Sequence, residues 1–157
     1  MPLNFALLLN LVGVASTDDK DLLWAFVKRY APDASPETNP ELDGLIGYAL
    51  AYFRDFVADS LRRRSPDERE RAALADLDAR LAALPAEAGP EEIQFEVYEV
   101  GKAAGFDPLR DWFRTLYETL LGTSQGPRMG SFFALYGIDN SRRLIAEALA
   151  VEASPTP

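Results

Sequence analysis

Residues 39–61 read NPELDGLIGYALAYFRDFVADSL, and the pattern is that of a helix. A polar residue, Asn39, stands before Pro40. Proline fits the first helical position because that amide has no intrahelical partner and the ring already holds a helical φ. Glu41 and Asp43 follow in the first turn, where the helix dipole favours negative charge. Leu42, Leu45, Ile46, Ala49, Phe53, Phe56, Val57 and Leu61 then recur at three- and four-residue steps and give one broad apolar face.

The same start signal returns at Ser65-Pro66-Asp67-Glu68, at Gly89-Pro90-Glu91-Glu92 and at Asp107-Pro108. Ser65 with Glu68 has the spacing of a capping box. Leu74, Leu77, Leu81 and Leu84 form a narrow stripe on a charged segment. Leu109, Trp112, Phe113, Leu116, Tyr117, Leu120 and Leu121 repeat the helical period with aromatics. Leu144, Ile145, Ala148 and Leu149 mark a last helix. Thr17-Asp18-Asp19 reads as the cap of a helix holding Leu22, Leu23, Phe26 and Val27. No stretch alternates with period two. The expectation is an all-α fold, a single helical bundle of seven or eight helices over residues 1–152, with residues 153–157 as a frayed tail.

The N-terminal run MPLNFALLLNLVGVAS lacks the positive segment of a secretory signal, and Asn4 and Asn10 interrupt it. It is also shorter than the ~20 apolar residues of a membrane span. It reads as a core helix with no polar lead-in, which suggests a chain cut from something longer.

Composition narrows the chemistry. Among 157 residues, 48% are hydrophobic and 26% charged, as in ordinary globular proteins. Cysteine and histidine are both absent. Thiolate nucleophiles, Ser-His-Asp triads and the usual zinc sites go with them. The net charge of −9 is unevenly placed. Residues 1–100 hold 10 basic and 19 acidic side chains, whereas residues 101–157 hold 6 of each. The six cations of the second part are Lys102, Arg110, Arg114, Arg128, Arg142 and Arg143. The C-terminal third is where an anion such as a phosphate meets no repulsion.

Two charged clusters have plain readings. Glu92, Glu96 and Glu99 share a helix face, but bundle metal sites pair such carboxylates with Glu-x-x-His, and histidine is missing. Arg62-Arg63-Arg64 with Arg69 and Arg71 resembles a phosphate patch. The neighbouring Asp67, Glu68 and Glu70 cancel most of its field, which favours a helix end followed by a salt-bridged helix.

The most informative segment is 121–137, LGTSQGPRMGSFFALYG. Four glycines and a proline flank a single arginine between two apolar helices. It is not a P-loop, having no Gly-Lys-Ser/Thr and no preceding strand. The residues fit a tight interhelical turn and a ligand loop equally well. Phe132 and Phe133 suit a core, while Tyr136 at the helix end suits either a core or a stacking role.

Residues 90–137 resemble the C-terminal end of the class I lysyl-tRNA synthetases. The resemblance lies in the EIQ…YE helix, the LY…LG helix and the GPRMGSFFALYG turn and helix. LLLNLVGVAS and DLLWAFVKRY are similar to that family's segment just after its catalytic domain. The resemblance covers nearly the whole chain, is specific in residues 116–137 and is looser in 60–90. It implies an all-helical cage that binds the anticodon stem-loop of lysine tRNA. The N-terminal catalytic domain of the same polypeptide, which uses ATP and carries HIGH-like and KMSKS-like motifs, has no counterpart in this chain. The implied fragment is cytoplasmic and monomeric, has no cofactor of its own and does not catalyse alone. The related glutamyl enzymes share a T-G-x-x-x-x-P turn against an anticodon base. Gly122 and Pro127 match that turn, and Met129 falls where an apolar side chain packs on the base. Tyr117 departs from the arginine of the glutamyl enzymes. The resemblance thus implies anticodon contacts at Tyr117, Gly122, Gly126, Pro127, Arg128, Met129, Gly130 and Tyr136. Lys102, Arg110, Arg114, Arg142 and Arg143 become candidate phosphate contacts. A helical protein-interaction module without a nucleic-acid role fits the composition and architecture as well.

Overall fold

The computed structural model describes residues 3–15 and 18–151. Among these the chain forms eight α-helices and no strand, so the all-α expectation holds. The expected tail at 153–157 and the Thr17 part of the second cap lie outside the described residues. The chain divides into two compact units, 1–61 and 62–157.

The first unit contains α1 (Phe5–Ala15), α2 (Lys20–Tyr30) and α3 (Pro40–Tyr52). Helix α1 buries Leu7, Leu8, Leu11 and Val12, and α3 buries Ile46 and Ala49. Asp19 caps α2 by accepting from the Asp21 amide at 2.9 Å. Asp43 ties α3 to α2, accepting from Trp24 Nε1 at 2.8 Å and pairing with Lys20 Nζ at 3.0 Å. The α-helical period of α3 stops at Tyr52. A π-helical turn, Phe53–Val57, and a 3₁₀ turn, Ala58–Ser60, continue it. The change of period breaks the long apolar face read from the sequence, and Phe56 stands exposed.

The second unit holds α4 (Glu68–Ala83), α5 (Pro90–Ala103), α6 (Arg110–Leu116) with its π-helical continuation Tyr117–Leu121, α7 (Met129–Tyr136) and α8 (Ile138–Ala150). Helix α5 packs on α4 and α7, and α8 packs on α4 and α7. Leu74, Leu77 and Leu81 of α4 are fully buried, as their spacing required. Trp112 fills the base of α6, its Nε1 donating to the Val97 carbonyl at 2.9 Å.

Two helix starts differ from their sequence signals. The capping box of α4 uses Asp67 and Glu70, not Ser65 and Glu68. Asp67 accepts from the Glu70 amide and Glu70 accepts from the Asp67 amide, both at 2.8 Å. The shift places Glu70 where it also binds Arg64, so tertiary pairing selects between two boxes of equal local merit. Helix α6 opens at Arg110 and not at Pro108, after a turn in which the Asp111 amide donates to the Pro108 carbonyl. Pro40 and Pro90 do stand at their helix starts. Asn39 makes no side-chain cap for α3. Its Oδ1 instead accepts from the Ser35 amide and the Thr38 hydroxyl.

Candidate nucleic-acid interface

The segment 122–128 is a loop between the π-helical end of α6 and the start of α7, exposed at residues 124–126 and at Arg128. Gly122 opens it with φ 76°, a left-handed conformation that glycine adopts without a Cβ penalty. The carbonyl of Tyr117 accepts from both Gly122 and Thr123 amides. The hydroxyl of the same tyrosine donates to the Pro127 carbonyl at 3.0 Å. Its ring also floors the loop, since a Cβ on Gly126 would stand 2.7 Å from Tyr117 Cδ1. Burial pushes the Tyr117 phenol above the ordinary tyrosine value, with a smaller contribution from Tyr98. The hydroxyl therefore stays a neutral donor.

The loop's tip offers backbone. The amides of Ser124, Gln125 and Gly126 donate no hydrogen bond among the described residues, and all three residues are exposed. Thr123 Oγ1 braces the tip by donating to the Gln125 carbonyl at 2.7 Å. A pocket of about 290 Å³ lies beside it, lined by Arg62, Arg64, Glu118, Gly122, Thr123 and Ser124.

The other expected site residues are divided between surface and interior. Arg128 is exposed and pairs with Glu91 Oε2 at 2.7 Å. Such an exposed pair is worth ~0–1 kcal/mol, so a phosphate or base can exchange for the carboxylate at little cost. Pro127, Met129 and Gly130 are buried. Gly130 is a packing residue: its amide donates to Gln94 Oε1 at 2.6 Å, and a Cβ there would stand 2.4 Å from the Pro90 carbonyl oxygen. Tyr136 is half-buried and stacks on Phe132, ring centroids 5.7 Å apart.

Among the candidate phosphate contacts, Arg142 pairs with Asp78 at 2.9 Å and Lys102 with Glu99 at 3.5 Å. Arg143 donates to Asn140 Oδ1 at 2.8 Å. Arg110 and Arg114 are exposed, and their guanidinium groups make no hydrogen bond or ion pair among the described residues.

The clusters with plain readings have named partners. Arg64 grips Glu70 with two bonds of 2.7 Å and reaches Glu118 at 2.7 Å. Arg69 lies over the Phe106 ring at 3.9 Å, and Arg71 donates to the Leu149 carbonyl at 2.8 Å. Glu96 pairs with Arg80, and Glu92 accepts from the Gly89 amide. The structure also exposes Phe95 and Tyr98 on α5, which the loop-centred reading passes over. Their signal in the sequence is that they fall off the buried Ile93, Val97, Val100 stripe.

The fold and this surface define an all-α protein with an exposed, backbone-rich loop at a helix junction. Comparison with curated proteins specifies it further. The chain is 48% identical over 148 residues to the lysine–tRNA ligase of Roseobacter denitrificans, covering 94% of this chain and 28% of that protein. It is 43% identical over 147 residues to that of Rickettsia bellii (94% and 28%) and 40% identical over 143 residues to that of Rickettsia felis (91% and 27%). The chain is thus a homologue of a segment of the lysine–tRNA ligases and spans less than a third of the length of these relatives. No protein-family model and no solved structure matches it. Among the described residues no helix is long and apolar enough to cross a membrane.

Proposed function

We propose that this chain is the anticodon-recognising helical part of a class I lysyl-tRNA synthetase. It supports lysine attachment by an ATP-dependent catalytic portion of the same polypeptide and does not catalyse alone. The observation that carries this reading is the loop at 122–128, with its unpaired amides, within a chain whose relatives are lysine–tRNA ligases. Lysine codons require uridine at the second and third anticodon positions. Uridine presents carbonyl acceptors on its pairing edge, and free backbone amides are the complementary donors. Arg128 adds a planar fork for a phosphate or a base edge. On this reading the protein is cytoplasmic and monomeric, a ligase of protein biosynthesis. The acidic net charge makes the chain's own affinity modest, because phosphate contacts dominate binding to nucleic acid.

Binding of lysine tRNA should weaken when the second and third anticodon uridines are replaced by adenosine, as read by fluorescence anisotropy. Equal binding of both transcripts would overturn the reading.

One observation favours protein contact for the first unit. Phe5, Tyr48, Tyr52 and Phe56 form a chain of rings 5.0–6.1 Å apart, with Tyr48 and Phe56 exposed. Asp55 and Asp59 flank Phe56 and disfavour RNA there. This face suits a protein surface, for which the catalytic portion of the polypeptide is the natural candidate.

A further inference from the structure

We propose that α5 and α6 together form a base-stacking surface continuous with the 122–128 loop, on which Phe95 and Tyr98 take unpaired uridines while Arg110 and Arg114 hold the adjoining phosphates. The proposal rests on the anticodon reading above and names the surface that reading lacks. Phe95 is 57% exposed and Tyr98 42%, although both sit on a helix whose other face is core. They are three residues apart, one turn of α5, so they lie on the same side with an offset of ~4.5 Å along the axis. That offset is close to the ~3.4 Å rise of successive bases along a strand.

Two contacts join this pair to the loop and to the cations. The Tyr98 ring meets Phe113 of α6 edge-on, centroids 5.3 Å apart. Arg110 and Arg114 share the outer face of α6 with Phe113 by helical spacing. At the other end, Glu91 lies one turn before Phe95 and holds Arg128, the last loop residue. The surface therefore runs from Arg128 through Phe95 and Tyr98 to the two unpaired arginines. Glu91, Glu92, Glu96 and Glu99 lie on the same helix; Arg128, Arg80 and Lys102 pair with Glu91, Glu96 and Glu99, and Glu92 accepts from the Gly89 amide. Exposed rings interleaved with available cations are the chemistry that binds single-stranded nucleic acid, since every base offers a face to stack and every linkage a charge.

The test uses the whole chain and RNA hairpins whose loops carry either a UUU anticodon or three adenosines in its place. Phe95→Ala and Tyr98→Leu should each lower affinity for the UUU hairpin about tenfold, the scale of one lost base stack. Melting temperature should stay unchanged in Phe95→Ala, whose ring makes no aromatic contact among the described residues, and fall by no more than a few degrees in Tyr98→Leu, which loses the edge contact with Phe113. Arg110→Gln and Arg114→Gln should each flatten the dependence of log affinity on log salt by about 0.7. Thiouridine in the anticodon should photocrosslink to the α5 peptide of the unaltered chain. Undiminished affinity in both aromatic variants, with the UUU preference retained, would overturn the stacking surface and leave the anticodon reading standing. Loss of the UUU preference in the unaltered chain would remove both.

Discussion

The phenol of Tyr117 donates to the carbonyl of Pro127, closing ten residues of chain with one 3.0 Å bond. The backbone carbonyl of the same residue receives the Gly122 and Thr123 amides, so one tyrosine fastens both ends of the loop. The tip between them is held in a fixed shape while its own amides stay available.

Tyr117→Phe should therefore loosen the loop more than it destabilises the fold. The expected loss is about 1 kcal/mol in stability, the usual net value of one hydrogen bond. Faster amide exchange at Gly122 and Thr123, whose amides bond the Tyr117 carbonyl, would verify the clamp. Exchange identical to that of the unaltered chain would refute it.

Gly126→Ala and Gly130→Ala should differ sharply. At Gly126 the added methyl meets side chains, the Tyr117 ring and Leu121, and not another helix's backbone, and about 1–2 kcal/mol is expected. At Gly130 it meets the Pro90 carbonyl and the Gln94 backbone, which cannot yield without separating α7 from α5. A loss of about 3 kcal/mol or more is expected there. Gly44→Ala is the control. It faces open space inside a helix and should gain about 0.5–1 kcal/mol. Thermal melts of the three variants rank them.

Glu70 should make stability fall in acid. The Arg64 guanidinium, the Asp67 amide and the Thr115 hydroxyl hold its carboxyl down to about 2, against the usual 4.5. A carboxylate depressed in the folded state stabilises fully above its unfolded value and loses that contribution as pH falls toward 2. With Arg64 partly exposed, the contribution is about 2 kcal/mol. Denaturant midpoints between pH 5 and pH 2 should fall less in Glu70→Gln than in the unaltered chain.

Arg128→Ala should lower discrimination among anticodon-variant tRNAs in the full-length ligase by about 1–3 kcal/mol, the scale of a bidentate base contact or a charge-assisted bond. Lysine activation and melting temperature should not change, because the Glu91 pair is exposed. Unchanged discrimination with lowered stability would assign Arg128 to the fold alone.

Much of this architecture is legible in the sequence because helices declare themselves locally. Pro40 and Pro90 mark their helix starts, and Leu74, Leu77 and Leu81 name a buried stripe by spacing alone. Ser65 and Asp67 show where local rules stop. Both head an acceptable capping box, and the choice depends on Arg64 and Thr115, the second of which is 45 residues from Glu70. The candidate interface is legible in the same uneven way. Glycines around Arg128 single out the loop, yet nothing local says that Gly130 and Met129 are turned inward while Gly126 is exposed. Phe95 and Tyr98 hide among the apolar residues of α5, because a ring on a helix reads as core until its phase is checked against Ile93, Val97 and Val100.

The π-helical turn at Tyr117–Leu121 holds one residue more than α-helical winding would use there. That surplus residue works as a spacer. Without it the segment would wind as an ordinary α-helix, and the Tyr117 carbonyl would face the amide four residues on instead of that of Gly122, five residues on. Where the loop opens, and which carbonyl fastens its start, is thus set by a length as much as by side chains.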